Sequence, residues 1–228
     1  MLDNFKYTKC ICCEENNRQV ISKVGRGFSK LITVICTGCG LIHSYPIPTK
    51  AELHNYYKKD YRIKYKLTLK PKKQHTLRYA KDSLVFIKEL ISFLDYTNFA
   101  QKKFLDIGSG SGEISYFAKK IGFSILGIEP NEGYAEFCKN DLGLNIINST
   151  YEDAKISEDE YDIINLNQVL EHLPDPLIVL SNLKNYLKDG GIISLTVPDI
   201  QGKNHAPFNR FHYAHVYNYN HLNLKKLF

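Results

Sequence analysis

Four cysteines stand in two C-x-x-C pairs, Cys10 with Cys13 and Cys36 with Cys39, with 22 residues between the pairs. Two residues between cysteines let both sulfurs of a tight turn reach one tetrahedral ion. Two such turns supply four thiolates, the closed donor set of a structural zinc site. Cys12 adds a C-x-C spacing too tight to replace Cys10 in that turn, and Cys138 falls in an apolar helical pattern that reads as core. Between the pairs, Val20–Val24 and Leu31–Ile35 read as short strands, with Gly25-Arg26-Gly27 near the turn. This is the pattern of a zinc ribbon, and the metal forms part of the folding energy of so small a module.

A second constellation centres on glycines. Gly108, Gly110 and Gly112 follow the apolar run Lys103–Ile107, which carries Asp106. Glycines there let the backbone turn sharply and approach a ligand closely. The spacing is G-x-G-x-G, with Glu113 where a dinucleotide fingerprint has its last glycine and with no lysine of a P-loop. A dehydrogenase is disfavoured on that ground. Asp106 disfavours a pyrophosphate and suits a cation. Glu129, 23 residues further on, is positioned to accept ribose hydroxyls. An adenosine ligand with a positively charged amino-acid tail fits both carboxylates. A third group holds acid–base candidates. Glu171 and His172 are adjacent, and His205, His212 and His215 lie in an aromatic segment further on. The histidines suit a general base or a second metal site, and Arg210 suits an acceptor phosphate.

These residues need elements to hold them. Thr49-Lys50-Ala51-Glu52 is a capping box that starts a helix through Leu53, Tyr56 and Tyr57. Residues 74–95 carry Leu77, Leu84, Val85, Ile87, Leu90, Ile91 and Leu94 in an amphipathic helical pattern. From Lys102 strands alternate with helices. Strands are expected at Lys103–Ile107, Phe123–Glu129, Leu144–Asn148, Tyr161–Asn167 and Ile192–Val197. Helices are expected at Glu113–Ile121, Glu132–Asn140 and Pro174–Leu187, with a turn at Asp189-Gly190-Gly191. Near-continuous apolar strands alternating with helices predict an α/β fold, a Rossmann-like parallel sheet with helices on both faces. The expected division is a zinc ribbon over 1–45, a helical connector with a basic segment over 46–98, and the sheet domain over 99–228.

The chain has 228 residues, 43% of them hydrophobic and 24% charged, which supports packed cores and argues against general disorder. No apolar run reaches the roughly 18 residues of a membrane helix, and Met1–Lys6 has no apolar signal region. A soluble cytoplasmic protein without membrane partners is expected. The net charge of +6 is local: ten Lys/Arg against the single acid Asp60 fall between Lys58 and Lys81. That stretch suits an anionic partner or a solvated helix face.

Phe104-Leu105-Asp106-Ile107-Gly108-Ser109-Gly110-Ser111-Gly112 resembles the first motif of class I S-adenosylmethionine-dependent methyltransferases. Leu126-Gly127-Ile128-Glu129-Pro130 resembles their second. Tyr161–Ile164 with Asn167-Gln168-Val169-Leu170-Glu171-His172-Leu173-Pro174-Asp175-Pro176 resembles the fourth-strand motif of the small-molecule branch. Asp189-Gly190-Gly191 and Val197-Pro198 resemble the approach to and end of the fifth strand. The likeness covers about residues 75–228. The ribbon followed by Pro46-Ile47-Pro48-Thr49 and Tyr56-Tyr57 resembles zinc-ribbon methyltransferases, a group associated with sugar, surface-polysaccharide and secondary biosynthesis.

The resemblance implies S-adenosyl-L-methionine as cofactor. It places Gly108, Ser109, Gly110 and Gly112 at the methionine and ribose end, with Asp106 near the amino group. Glu129, followed by Pro130, holds the ribose. Tyr151 and Glu152 match adenine positions, and Asn167 and Gln168 lie under the methionine moiety. The expected acceptor is a small anionic or sugar-linked metabolite methylated on oxygen or carbon. The same resemblance implies a further helix and two strands after Val197, where only 31 residues follow. A truncated sheet with an exposed fifth-strand edge is therefore expected, which a second copy would cover. The alternatives are an RNA methyltransferase using the ribbon and basic segment, and a non-catalytic cofactor-binding protein. The place of the Asn-Pro-Pro-Tyr signature of amino-group nucleic-acid enzymes reads Asn167-Gln168-Val169-Leu170, so nucleic acid is the less favoured partner.

Overall fold

The structure, a computed structural model, describes residues 9–56, 71, 73–94, 98–158, 160–202 and 210–228. Most of the basic stretch that begins at Lys58, together with Tyr57 and His205, lies outside the described residues. The chain forms two compact units. One comprises residues 1–53, 170–179 and 197–228, and the other residues 54–169 and 180–196.

In the first unit, β1 (Arg18–Val24) and β2 (Lys30–Cys36) form an antiparallel hairpin. Gly27 sits at φ +65° in the connecting turn, a conformation that glycine adopts without steric cost. β3 (Ile42–Tyr45) pairs antiparallel with the other side of β2. The hairpin arises where β-branched residues alternate around a glycine turn, as the sequence predicts. The capping box also forms. Glu52 Oε2 accepts the Thr49 N–H at 2.8 Å and Thr49 Oγ1 accepts the Glu52 N–H at 3.3 Å, which starts α1 (Lys50–Tyr56).

The second unit opens with α2 (Lys73–Ser92). Ile87 and Leu90 are buried with Phe104, Ile114, Ala118, Phe123, Ile125 and Ile163, and Ile91 and Leu94 pack against that cluster. Leu77, Leu84 and Val85 point to the exposed side. The sheet follows: β4 (Lys103–Ile107), α3 (Glu113–Lys120), β5 (Ser124–Ile128), α4 (Glu132–Asn140), β6 (Ile146–Ile147), β7 (Tyr161–Asn167), α5 (Pro176–Lys184) and β8 (Leu187–Thr196). All five strands run parallel in the order β6-β5-β4-β7-β8. Ala135, Cys138, Leu144 and Ile146 form a second core cluster. The Rossmann-like class expected from the alternation is the class observed. Strand order reverses at β4, so the crevice for a ligand opens beyond the carboxyl ends of β4 and β7.

Two expectations need correction. Asp189-Gly190-Gly191 is no turn ahead of the fifth strand but part of β8, which already pairs at Tyr161 with Leu187. The register slips between Tyr161 and Ile163, and Gly190 takes φ +74° there, so the glycines form a bulge. α5 accordingly stops at Lys184, short of Leu187. The chain then returns to the first unit. β9 (Tyr217–Asn218) pairs antiparallel with β3, giving the sheet order β1-β2-β3-β9. α6 (His221–Lys225) begins in a reciprocal cap between Asn220 and Asn223. Among the described residues no helix is long and apolar enough to cross a membrane.

Gly112 caps α3 at φ +81°, and a Cβ there would stand 2.7 Å from Cys138 Sγ and 2.9 Å from Leu144 Cδ1. Gly112→Ala is expected to destabilise the second unit by roughly 1–3 kcal/mol through left-handed strain and overpacking. A lowered urea midpoint with an unchanged slope checks this.

Candidate functional site

The glycine loop after β4 is shaped by three left-handed glycines, Gly108 at φ +69°, Gly110 at +57° and Gly112 at +81°. A Cβ on Gly108 would stand 2.6 Å from Val169 Cγ2, so side-chain-free backbone is required where the loop leaves the strand. The loop borders a cleft of about 350 Å³, within the usual range for small-molecule sites. Asp106, Gly108, Ser109, Gly110 and Asn167 line it. Five of the expected cofactor residues therefore meet around one cavity.

Asp106 is 2% exposed. Ser115 donates its hydroxyl to Oδ2 at 2.6 Å and Asn165 donates Nδ2 to Oδ1 at 2.8 Å. Burial pushes its pKa up to about 6 despite these two bonds, and Glu129 and Glu113 push in the same direction. Asp82 and Glu113 also line the cleft. A cavity bordered by so many carboxylates favours a cationic occupant.

Glu129 follows β5 and is almost fully buried. Its Oε2 accepts the Gly110 N–H and its Oε1 the Asn131 N–H, each at 2.9 Å. The carboxylate thus ties the glycine loop to the start of α4. It does not line the cleft, although a carboxylate retains further lone pairs. Gly112 faces Cys138 and Leu144 and not the cavity. Pro130 is exposed, Tyr151 is half-buried, and Glu152 is exposed; none of the three lines the cleft. Gln168, also outside the lining, is exposed at φ +58° and donates its N–H to Thr196 O at 2.8 Å. Such a conformation in a non-glycine residue stores about 1–3 kcal/mol of strain at the end of β7.

Several lining residues were not foreseen. Tyr79, Asp82, Ser83 and Phe86 of α2 form one wall, and Glu113, Tyr134 and Thr196 also contribute. Tyr79, Ser83 and Phe86 fall at i, i+4 and i+7, on the face that carries Ile87 and Leu90 further along. A polar pair continuing an apolar helical stripe is the signal that could have revealed them.

In the first unit, Cys10 Sγ lies 3.6 Å from Cys39 Sγ and Cys13 Sγ lies 3.5 Å from Cys36 Sγ. All four sulfurs fall within 4.8 Å of one another. Sulfurs at a tetrahedral Zn–S distance of about 2.3 Å are about 3.8 Å apart, so the donor set fits a zinc ion. The separations are far from a disulfide bond, near 2.05 Å. Cys12 Sγ instead approaches Asn223 O at 3.4 Å. The same unit brings Glu171, His172, His212 and His215 together. His172 Nε2 is 3.7 Å and His215 Nε2 4.0 Å from Glu171 Oε1, and the His212 and His215 rings are 3.7 Å apart. Burial pushes the Glu171 pKa up to about 8.

The raised Asp106 value means that the folded chain holds this proton more tightly than the unfolded chain does. The stability the group contributes is fully present below its ordinary value of 3.8 and is lost as pH rises through about 6. Asp106→Asn is therefore expected to gain roughly 1–3 kcal/mol over the native protein at pH 7, with the difference vanishing below pH 4. Denaturation midpoints across that range check it.

Comparison with known proteins agrees with this geometry. The family model of the methyltransferase domain matches residues 77–227. The ubiquinone biosynthesis O-methyltransferase of Haemophilus ducreyi is 30% identical over 105 residues, covering 42% of this chain and 44% of that protein. The enzyme of the same name from Coxiella burnetii is 30% identical over 95 residues, covering 40% of this chain and 41% of its own. The matched stretch spans less than half the length of these curated relatives. A solved S-adenosylmethionine-dependent methyltransferase from Thermotoga maritima shares the fold, with a TM-score of 0.51 and 18% identity over 64% of this chain and 68% of that one. With well over half its residues matched by the family model and a glycine-looped cleft beyond the switch point of its sheet, the chain belongs to the S-adenosylmethionine-dependent methyltransferases.

Proposed function

We propose that the chain methylates a small anionic or sugar-linked metabolite, on a hydroxyl or a carbon, in surface-polysaccharide or secondary biosynthesis. The observation that carries the cofactor part of this reading is the cleft with Asp82, Asp106 and Glu113 on its lining and no basic residue among the described residues that line it. When bound, S-adenosylmethionine supplies an electrophilic methyl group on a cationic sulfur with a neutral thioether as leaving group. The acidic lining suits that sulfonium and the ammonium of the same molecule. Asp106, held by Ser115 and Asn165, is pre-oriented toward the amino end, with Gly108, Ser109, Gly110 and Asn167 around the methionine moiety. Glu129 is assigned to the ribose, which would share the carboxylate with the Gly110 and Asn131 amides. Tyr151 and Glu152 are assigned to adenine.

The protein's contribution is alignment of the acceptor with the methyl group and removal of the acceptor proton. The base is sought among Glu171, His172, His205, His212 and His215. The relatives' name, O-methyltransferase, favours a hydroxyl acceptor over carbon. The resemblance to zinc-ribbon methyltransferases favours the sugar-linked class. The four cysteines are proposed to hold a structural zinc ion that closes the ribbon and has no open position for chemistry.

Calorimetry with S-adenosylhomocysteine is expected to show binding to the native chain. Glu129→Ala should weaken it roughly 10- to 100-fold, the worth of hydrogen bonds to a charged group. Absence of heat on folded protein removes the cofactor assignment. Radiolabelled methyl transfer to nucleotide-linked sugars then tests the acceptor class, and transfer to RNA in its place establishes the alternative. Cys36→Ser is expected to lose the ribbon zinc and the ordered hairpin, checked by elemental analysis and circular dichroism.

A further inference from the structure

Glu171, His172 and His215 form a cluster apart from the four cysteines, and its geometry is unusual for a hydrogen-bonded core. Glu171 is 1% exposed, yet neither carboxylate oxygen has a hydrogen-bond donor from another residue among the described ones, and only its own backbone N–H acts on it. A buried carboxylate left in that state costs several kcal/mol unless a cation or proton compensates it. His172 Nδ1 lies 2.7 Å from Ala214 O. A carbonyl only accepts, so Nδ1 carries a hydrogen, and the other ring nitrogen, Nε2, faces Glu171. That nitrogen stands 3.7 Å from Oε1, and His215 Nε2 stands 4.0 Å from the same oxygen. Both distances exceed a hydrogen bond. They are close to the separation of about 3.4 Å between two ligands of one tetrahedral ion at metal–ligand distances near 2.1 Å.

We propose that Glu171, His172 and His215 bind a divalent first-row transition metal ion, zinc first among them, through Oε1 and the two Nε2 atoms. The three ligand atoms lie within 4.8 Å of one another, so contraction by about 0.3 to 1.4 Å per pair closes the site. The His172 bond to Ala214 is the outer contact that metal-ligating histidines ordinarily make, fixing the tautomer and the ring. His212 is buried and packs its ring on His215, which limits how far that ligand can swing. Two imidazoles and one carboxylate suit zinc, iron or cobalt better than calcium or magnesium. Three protein ligands leave a coordination position open, which a water or an anionic oxygen of a small molecule can take. His172 and His215 are each partly exposed, giving the ion an approach.

The test is zinc content after equilibration with zinc chloride and gel filtration, in the native chain, Glu171→Gln and His215→Ala. The native chain is expected to retain about one equivalent more than either variant, with the same circular dichroism. Equal zinc in all three overturns the proposal. Should a variant fail to fold, the native chain loaded with cobalt(II) decides. A nitrogen- and oxygen-ligated cobalt species beside the thiolate-ligated one supports the site, and thiolate-ligated cobalt alone overturns it. Both readouts are independent of methyl transfer, so failure of one reading leaves the other standing.

Discussion

The centre of the second unit is a carboxylate that must be charged while it is buried. Asp106 is the penultimate residue of the central strand, and it is held by one hydroxyl from α3 and one amide from the neighbouring strand β7. Those two bonds do not offset its loss of water, as its elevated pKa shows. The surrounding architecture concentrates the problem: Glu113 opens the next helix, and Glu129 follows the next strand. Such a lining favours positive charge in the cleft. The glycine loop takes its shape only without side chains there, since a Cβ on Gly108 or Gly112 would collide with Val169 or Cys138.

Glu129 shows how one side chain serves both fold and site. Its two oxygens stitch the loop to the start of α4, so the loop holds its shape before any ligand arrives. Preorganisation of this kind reduces the ordering cost of binding. A strained Gln168 at the end of β7 is consistent with a backbone specified by the site and not by local preference.

Much of this was legible in the residues. β4 and β7 begin and end where their apolar runs do, because a strand buried on both faces leaves little latitude in register. The two cysteine pairs converge because spacing alone constrains them. Other features escaped for physical reasons. Tyr79 and Ser83 extend an apolar stripe with polar groups, and a helical period cannot say whether such groups meet solvent or a cavity. Asp189-Gly190-Gly191 has the composition of a turn, but the pairing of Tyr161 with Leu187 absorbs it as a bulge. The two-residue strand Tyr217–Asn218 is too short to carry a period, and its partner is far away in the chain. Glu171 and His172 were visible as a pair, whereas their proximity to His215 depends on that return of the chain.

The pairing of β9 with β3 has a consequence for biogenesis. Ser44 and Val216 are hydrogen-bonded at a sequence separation of 172, while the other three strands of that sheet are contiguous. Domains emerging from the ribosome usually fold in the order they are made. Here the sheet that begins at Arg18 waits for synthesis to reach Asn218 before its fourth strand exists. During translation β3 presents an unsatisfied edge, which a nascent chain must shield or keep away from its neighbours.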